Sequence, residues 1–97
     1  MSLLPIVAFD VDGTLIWSEG YTNHEPDTPR YDIIGLYKLF QKFGYVMVIW
    51  SGGGKEYAKR WAEKLGLHGC IYEKGEIEVD IAVDDEEVRL GKVNLKV

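Results

Sequence analysis

The stretch VAFDVDGTL, residues 7–15, decides the fold. It is apolar up to Phe9, sets Asp10 and Asp12 one residue apart, and turns at Gly13. A short apolar run that breaks off into polar residues is the pattern of a strand buried on both faces of a parallel sheet. Pro5 marks its start, because a proline inside a central strand forfeits a ladder hydrogen bond. Two carboxylates this close repel, and a folded chain keeps them together when something cationic binds between them.

Outward from this strand, residues 17–29 are polar and turn-rich and read as a loop or small hairpin. DTPRYDIIGLYKLFQKFG (27–44) then carries helix punctuation, with Thr28 as N-cap, Pro29 at the first helical position and Gly44 as the stop. Ile33, Leu36, Tyr37, Phe40 and Phe43 share one helical face. YVMVIW (45–50) is a second buried strand closing on SGGG (51–54), and KEYAKRWAEKLG (55–66) a second helix with Tyr57, Ala58, Trp61, Ala62 and Leu65 inward. CIY (70–72) and VDIAVDD (79–85) are further strands, and the tail from Val88 is predicted as an extended edge segment. Strands alternating with helices imply right-handed crossovers and a parallel sheet flanked by helices: an α/β chain of the Rossmann-like, three-layer kind, in one domain spanning 1–97.

Composition agrees. At 97 residues, with 46% hydrophobic and 28% charged residues, the chain has enough apolar side chains for one core and is not disordered. Cys70, the one cysteine, cannot pair internally and is expected as a small buried side chain in a reducing cytoplasm. No stretch approaches the roughly 20 apolar residues that span a bilayer, and the start lacks a basic leader. A net charge of −5 disfavours a nucleic-acid partner without excluding a polynucleotide end.

Three strands end in chemically loaded residues: Asp10 with Asp12, Ser51 with Gly52, Gly53 and Gly54, and Asp84 with Asp85. In a parallel sheet these ends share one rim, where open α/β sheets place their crevice. Carboxylate and carbonyl oxygens are the ligands Mg2+ prefers, usually alongside substrate phosphate. Ser51 can donate to a phosphate oxygen, and glycines at a helix N-terminus let an anion approach the backbone. A lysine would balance the remaining charge, and Lys74 lies just before the fourth strand.

Those residues carry a resemblance. DVDGTL, then VMVIWS, then IAVDD, with Lys74 between the last two, is similar in content and order to the signatures of the haloacid dehalogenase superfamily of phosphohydrolases. The resemblance implies that fold, truncated after the paired acids, and a Mg2+-dependent phosphatase acting through an aspartyl-phosphate. Asp10 would be the nucleophile, Asp12 the general acid and base, and Lys74 the charge-compensating residue. Gly13 and Thr14 would shape the turn. Ser51, Gly52 and Gly53 would hold the phosphoryl oxygens. Asp10, the Asp12 backbone carbonyl, Asp84 and Asp85 would serve the metal, Asp85 through water or by orienting Lys74. Neither residues 16–28 nor the segment between Ser51 and Cys70 has room for a cap domain, so the likeness is to the minimal, capless members. A small phosphomonoester or nucleotide is then the expected substrate, and self-association is expected to cover the site.

Taken singly, the same residues have plainer readings. Asp10 and Asp12 also fit a strand-ending turn, Ser51 an N-cap, the acidic run 84–87 a solvated loop, and Lys55 competes with Lys74. His24 and His68 lack partners at metal-ligand spacing; Trp17, Tyr21 and His24 are candidates for substrate contact or for surface packing. Two other functions remain open: a non-catalytic metal- or phosphate-binding module of a larger assembly, and a phospho-accepting receiver, whose acids stand in a different order along the chain.

Overall fold

The computed structural model describes residues 4–19 and 24–97. Its elements are β1 (Ile6–Asp10), α1 (Tyr31–Lys42), β2 (Val46–Trp50), α2 (Lys55–Leu65), β3 (Cys70–Ile71), β4 (Val79–Asp84) and β5 (Gly91–Lys96). The strands form one all-parallel sheet in the order β3-β2-β1-β4-β5, as in Rossmann-like folds. Pro5 precedes β1 as expected, and the first strand N–H, that of Ile6, is taken by the Asp80 carboxylate at 2.7 Å.

Side chains alternate between the two faces of the sheet. Val7, Phe9, Met47, Ile49 and Val83 face Ile33, Ile34 and Tyr37 of α1 and Ala58 and Ala62 of α2. Ala8, Val48, Trp50 and Ala82 face the other way, under Tyr72, Ile77, Val88 and Leu90. Both helices therefore cover one face, and short links cover the other, instead of helices on each side. Strand order explains this. The steps β1 to β2 and β2 to β3 run in one direction, so crossovers of one hand put both helices on one face. The chain then returns across β1 to β4, and its links 72–78 and 85–90 fall on the opposite face.

The β4–β5 link is unusually short, since parallel neighbours commonly need a dozen or more residues between them. Residues 85–90 span at most roughly 20 Å fully extended, about the length of β4 itself. The link must therefore run almost straight back along the sheet, which lays Val88 and Leu90 on the second cluster. It rejoins at Gly91, where a Cβ would lie 2.8 Å from the Ala82 nitrogen, so only glycine permits the approach.

Three local expectations change. The first helix starts at Tyr31 with Arg30 as N-cap, not at Thr28 and Pro29. Residues 28–30 are used differently: Thr28 O accepts the Trp17 N–H at 2.8 Å, and the Arg30 N–H reaches Leu15 O at 2.9 Å, an antiparallel pairing that closes the loop. Phe43 is 68% exposed, because it sits at the C-cap as the chain turns through Gly44, and Ile34 takes a place in the core instead. Cys70 is exposed, since β3 is a short edge strand and Cys70 pairs with Val48, whose side chain faces the helix-free side. Among the described residues, no helix is long and apolar enough to cross a membrane.

Candidate active site

Register sets the site. Asp10 pairs with Trp50, so Ser51 emerges beside it; Phe9 pairs with Val83, so Asp84 ends the neighbouring strand at the same height. Between β1 and β4 the direction of chain progress reverses, and a crevice opens where strands diverge this way. Beyond Asp10 the chain makes one tight turn in which Val11 O accepts the N–H groups of Thr14, Leu15 and Ile16 at 3.2, 3.0 and 3.1 Å. Gly13 holds φ +78°, and any Cβ there would overlap the Asp85 carboxylate. The turn is clamped from outside by buried Arg30, whose NH1 donates to Gly13 O at 2.8 Å.

Asp10 and Asp84 are 5% and 1% exposed, a costly place for charge unless a cation is near. Lys74 supplies one: its Nζ lies 3.2 Å from Asp10 Oδ1 and 2.8 Å from Asp84 Oδ2. Lys74 rather than Lys55 is thus the lysine that reaches the strand ends; Lys55 is exposed at the start of α2. The contact to the buried Asp84 Oδ2 is the shorter of the two ion pairs. Asp84 Oδ1 accepts the Glu86 N–H at 3.0 Å, and the Thr14 hydroxyl stands 3.5 Å from Asp10 Oδ2. Asp85 completes the group: Asp10, Asp84 and Asp85 each bring an oxygen within 4.8 Å of the others.

Electrostatics follow from this crowding. Burial, and next the Asp84 charge, push the Asp10 carboxyl up to about 7 against the pull of Lys74. Burial works against the Lys74 ammonium, but its bond to Asp84 and the charges of Asp10 and Asp84 outweigh that and hold it above the ordinary lysine range. With every carboxyl ionised, three negative charges face one ammonium, leaving a deficit that a divalent cation matches. The donor set, three carboxylates with an oxygen each close together, suits a hard, oxygen-seeking ion such as Mg2+. The residues present fit the group.

Asp10, Asp12, Gly52, Gly53, Lys74 and Asp84 border one open cavity of about 270 Å3. Asp85 also borders it, with Ser18 and Glu86, neither of which the sequence singled out. A larger hollow of about 460 Å3 lies between residues 86–89 and β5, but no comparable chemistry converges there. Ser51 stands behind the cavity, buried, its Oγ accepting the Gly53 N–H at 3.0 Å; Gly54, not Ser51, is the N-cap of α2. Ser51 therefore shapes the glycine loop from within.

Two residues near the site were not legible as such. Arg30 had no signal, being one arginine in a polar segment. Tyr57 read as helix core, yet its hydroxyl donates to Asp12 Oδ1 at 2.6 Å; its place in the first turn after the glycines was the available cue. Burial, then the bond to Asp12, push its phenol up to about 12. Trp17 and His24 stack on each other at 3.7 Å, with the Arg30 guanidinium 4.5 Å over the Trp17 ring, so both pack within the loop. Tyr21, the third candidate contact there, lies outside the described residues. No family model, no curated protein and no solved structure matches the chain.

Proposed function

We propose that this chain is a Mg2+-dependent phosphomonoesterase of the minimal haloacid dehalogenase kind, working through a phosphoryl group carried on Asp10. One observation carries the reading: Lys74 bridges Asp10 and Asp84 across two neighbouring strand ends, with Asp85 beside them and a charge deficit left over. A structural ion pair needs one carboxylate, and burying two against one lysine, with a third half-buried beside them, destabilises the fold unless a ligand uses them.

Asp10, Asp84, Asp85 and the Asp12 carbonyl would hold the ion. When bound, it supplies positive charge that offsets the carboxylates and the phosphoryl oxygens. Asp10 attacks phosphorus as the ester P–O bond breaks, and Asp12 gives its proton to the departing oxygen, releasing the alcohol. Asp12 then takes a proton from water as the water oxygen bonds to phosphorus and the Asp10–phosphorus bond breaks, releasing inorganic phosphate. Lys74 orients Asp10 and offsets charge on the group in transfer. The backbone of Gly52 and Gly53, at the positive end of α2, is placed for phosphoryl oxygens.

The cavity is open and small, which suits a phosphate group and leaves the rest of the substrate outside. Small phosphomonoesters and nucleotides are the substrate class, with a polynucleotide end less favoured by the −5 charge; self-association is a means of closing the site.

The test is turnover of p-nitrophenyl phosphate and a panel of phosphomonoesters with Mg2+ and with chelator. Turnover that needs Mg2+ and disappears in Asp10→Asn is expected. An inactive parent, or an Asp10→Asn variant of parental rate, overturns the reading. Stabilisation by Mg2+ and a phosphate mimic with no turnover would instead identify a non-catalytic binding module.

A further inference from the structure

We propose that Tyr57 is a positioning residue for the reaction, holding Asp12 by Oδ1 so that Oδ2 is the oxygen that gives and takes the proton. The inference rests on the phosphatase reading of the same site and names the residue that orients its acid.

Tyr57 stands in the first turn of α2, far from Asp12 in sequence, and its hydroxyl donates to Asp12 Oδ1 at 2.6 Å. That length belongs to the short O–H to carboxylate class, about twice as strong as a neutral pair when Asp12 is ionised, and the bond keeps its geometry when Asp12 carries a proton on Oδ2. The ring also packs against the glycine loop. A Cβ on Gly53 would lie 3.1 Å from Tyr57 Cδ2 and 3.2 Å from Cγ, so the ring lies close against the loop and would have to shift by a few tenths of an ångström to admit one. One side chain thus touches both the candidate acid and the loop placed for phosphoryl oxygens. Asp12 is only half-buried on a tight turn, and this bond fixes its carboxyl plane.

The chemistry follows from donor and acceptor roles. A phenol is protonated at neutral pH and enters this bond as the donor. A carboxyl group that accepts through Oδ1 keeps its own proton on Oδ2. That proton passes to the ester oxygen as the P–O bond breaks, and Oδ2 recovers one from the attacking water in the second half. Tyr57 retains its proton throughout. Its effect is orientation: without it the carboxyl rotates, and the productive fraction of encounters falls.

Leaving groups separate this role from a structural one. A nitrophenolate departs without a proton, whereas an alkoxide needs one, so loss of acid orientation falls on alkyl esters. The parameter is kcat/KM, which reports phosphoryl transfer to Asp10 and not the later hydrolysis. For Tyr57→Phe with Mg2+, the ratio of kcat/KM for an alkyl phosphate to that for p-nitrophenyl phosphate is expected to fall about tenfold or more. In an Asp12→Asn background the same substitution is expected to leave that ratio unchanged, because the acid that Tyr57 orients is gone. Phe keeps the ring against Gly53, and thermal melts check this. If Tyr57→Phe melts markedly lower, the Asp12→Asn background decides, since a packing defect would lower rates there too.

Equal loss on both esters, no loss, or a further ratio change in the Asp12→Asn background overturns the inference and leaves the phosphatase reading standing. A parent inactive on both esters overturns the two together.

Discussion

Replacing Asp10 by asparagine should stabilise the metal-free protein while removing its response to Mg2+. The carboxyl is 5% exposed and pushed from 3.8 to about 7, mainly by burial and then by Asp84. Between those values the folded state holds a proton that the unfolded chain has released, so stability falls as pH rises from about 4 to about 7 and is level above. A gap of roughly three pH units corresponds to about 4 kcal/mol of stability lost by pH 8. Asparagine resembles the neutral, protonated carboxyl and does not titrate. The variant should therefore gain on the parent as pH rises, by up to about 4 kcal/mol, less whatever the Lys74 contact loses.

The assay is a set of thermal melts from pH 5 to 8, with chelator and with Mg2+. In a domain of this size each kcal/mol moves Tm by about 4–8 °C, so half the full effect is about 8–16 °C. With chelator, the Tm gap between variant and parent should widen from pH 5 to pH 8. With Mg2+ the parent should rise most at pH 8, where no proton competes with the ion, and the variant little. A gap that does not change with pH, or a variant less stable than the parent at pH 8, would refute the reasoning: Asp10 would then be buried without electrostatic cost.

Lys74→Met removes the one ammonium that touches both strand-end carboxylates, and should destabilise the metal-free protein by about 2–4 kcal/mol at pH 8. The loss should shrink toward pH 5 as Asp10 takes up its proton, and a pH-independent loss in urea melts would refute this account. Gly13→Ala must hold a side chain at φ +78° and displace the Asp85 carboxylate. It should cost at least about 1–2 kcal/mol and blunt the Mg2+-induced rise in Tm; a full parental rise would show that Asp85 has no part in ion binding.

Most of what positions the site was legible because it depends on strand ends, and strand ends are marked by where apolar runs stop. Phe9 to Asp10, Trp50 to Ser51 and Val83 to Asp84 are such breaks, and the parallel register brings them to one rim. What was not legible depends on contacts between segments. Thr28 and Pro29 carry real helix-start chemistry, but Trp17 bonds to the Thr28 carbonyl and Leu15 to the Arg30 N–H, which holds this stretch extended. The one-sided helix layer follows from strand order, which local periodicity does not encode. Ser51 was expected to donate to a phosphoryl oxygen; that its Oγ also accepts the Gly53 N–H depends on how the glycine turn folds back, which spacing does not show. Arg30 and Tyr57 act through a carbonyl and a carboxylate distant in sequence, Gly13 O and Asp12 Oδ1, so neither spacing nor propensity announces them.

The lysine shows topology deciding where spacing along the chain misleads. Lys55 is nearer to Ser51 in sequence, but it begins α2, which leads away from the rim to pack on the helix-covered face. Lys74 follows β3, and all strands of a parallel sheet end on one rim, so the chain leaves β3 on the same side as Asp10 and Asp84. From there it must pass from the β3 edge beyond β2 and β1 to begin β4. A residue early in that passage is still near the rim, and its ammonium is carried to the place where the strand order reverses. The reversal that opens the crevice and the crossing that delivers its cation are thus one feature of the fold. Any arrangement that put β4 beside β3 would leave two strands between Asp84 and Asp10, and one ammonium could not bridge them.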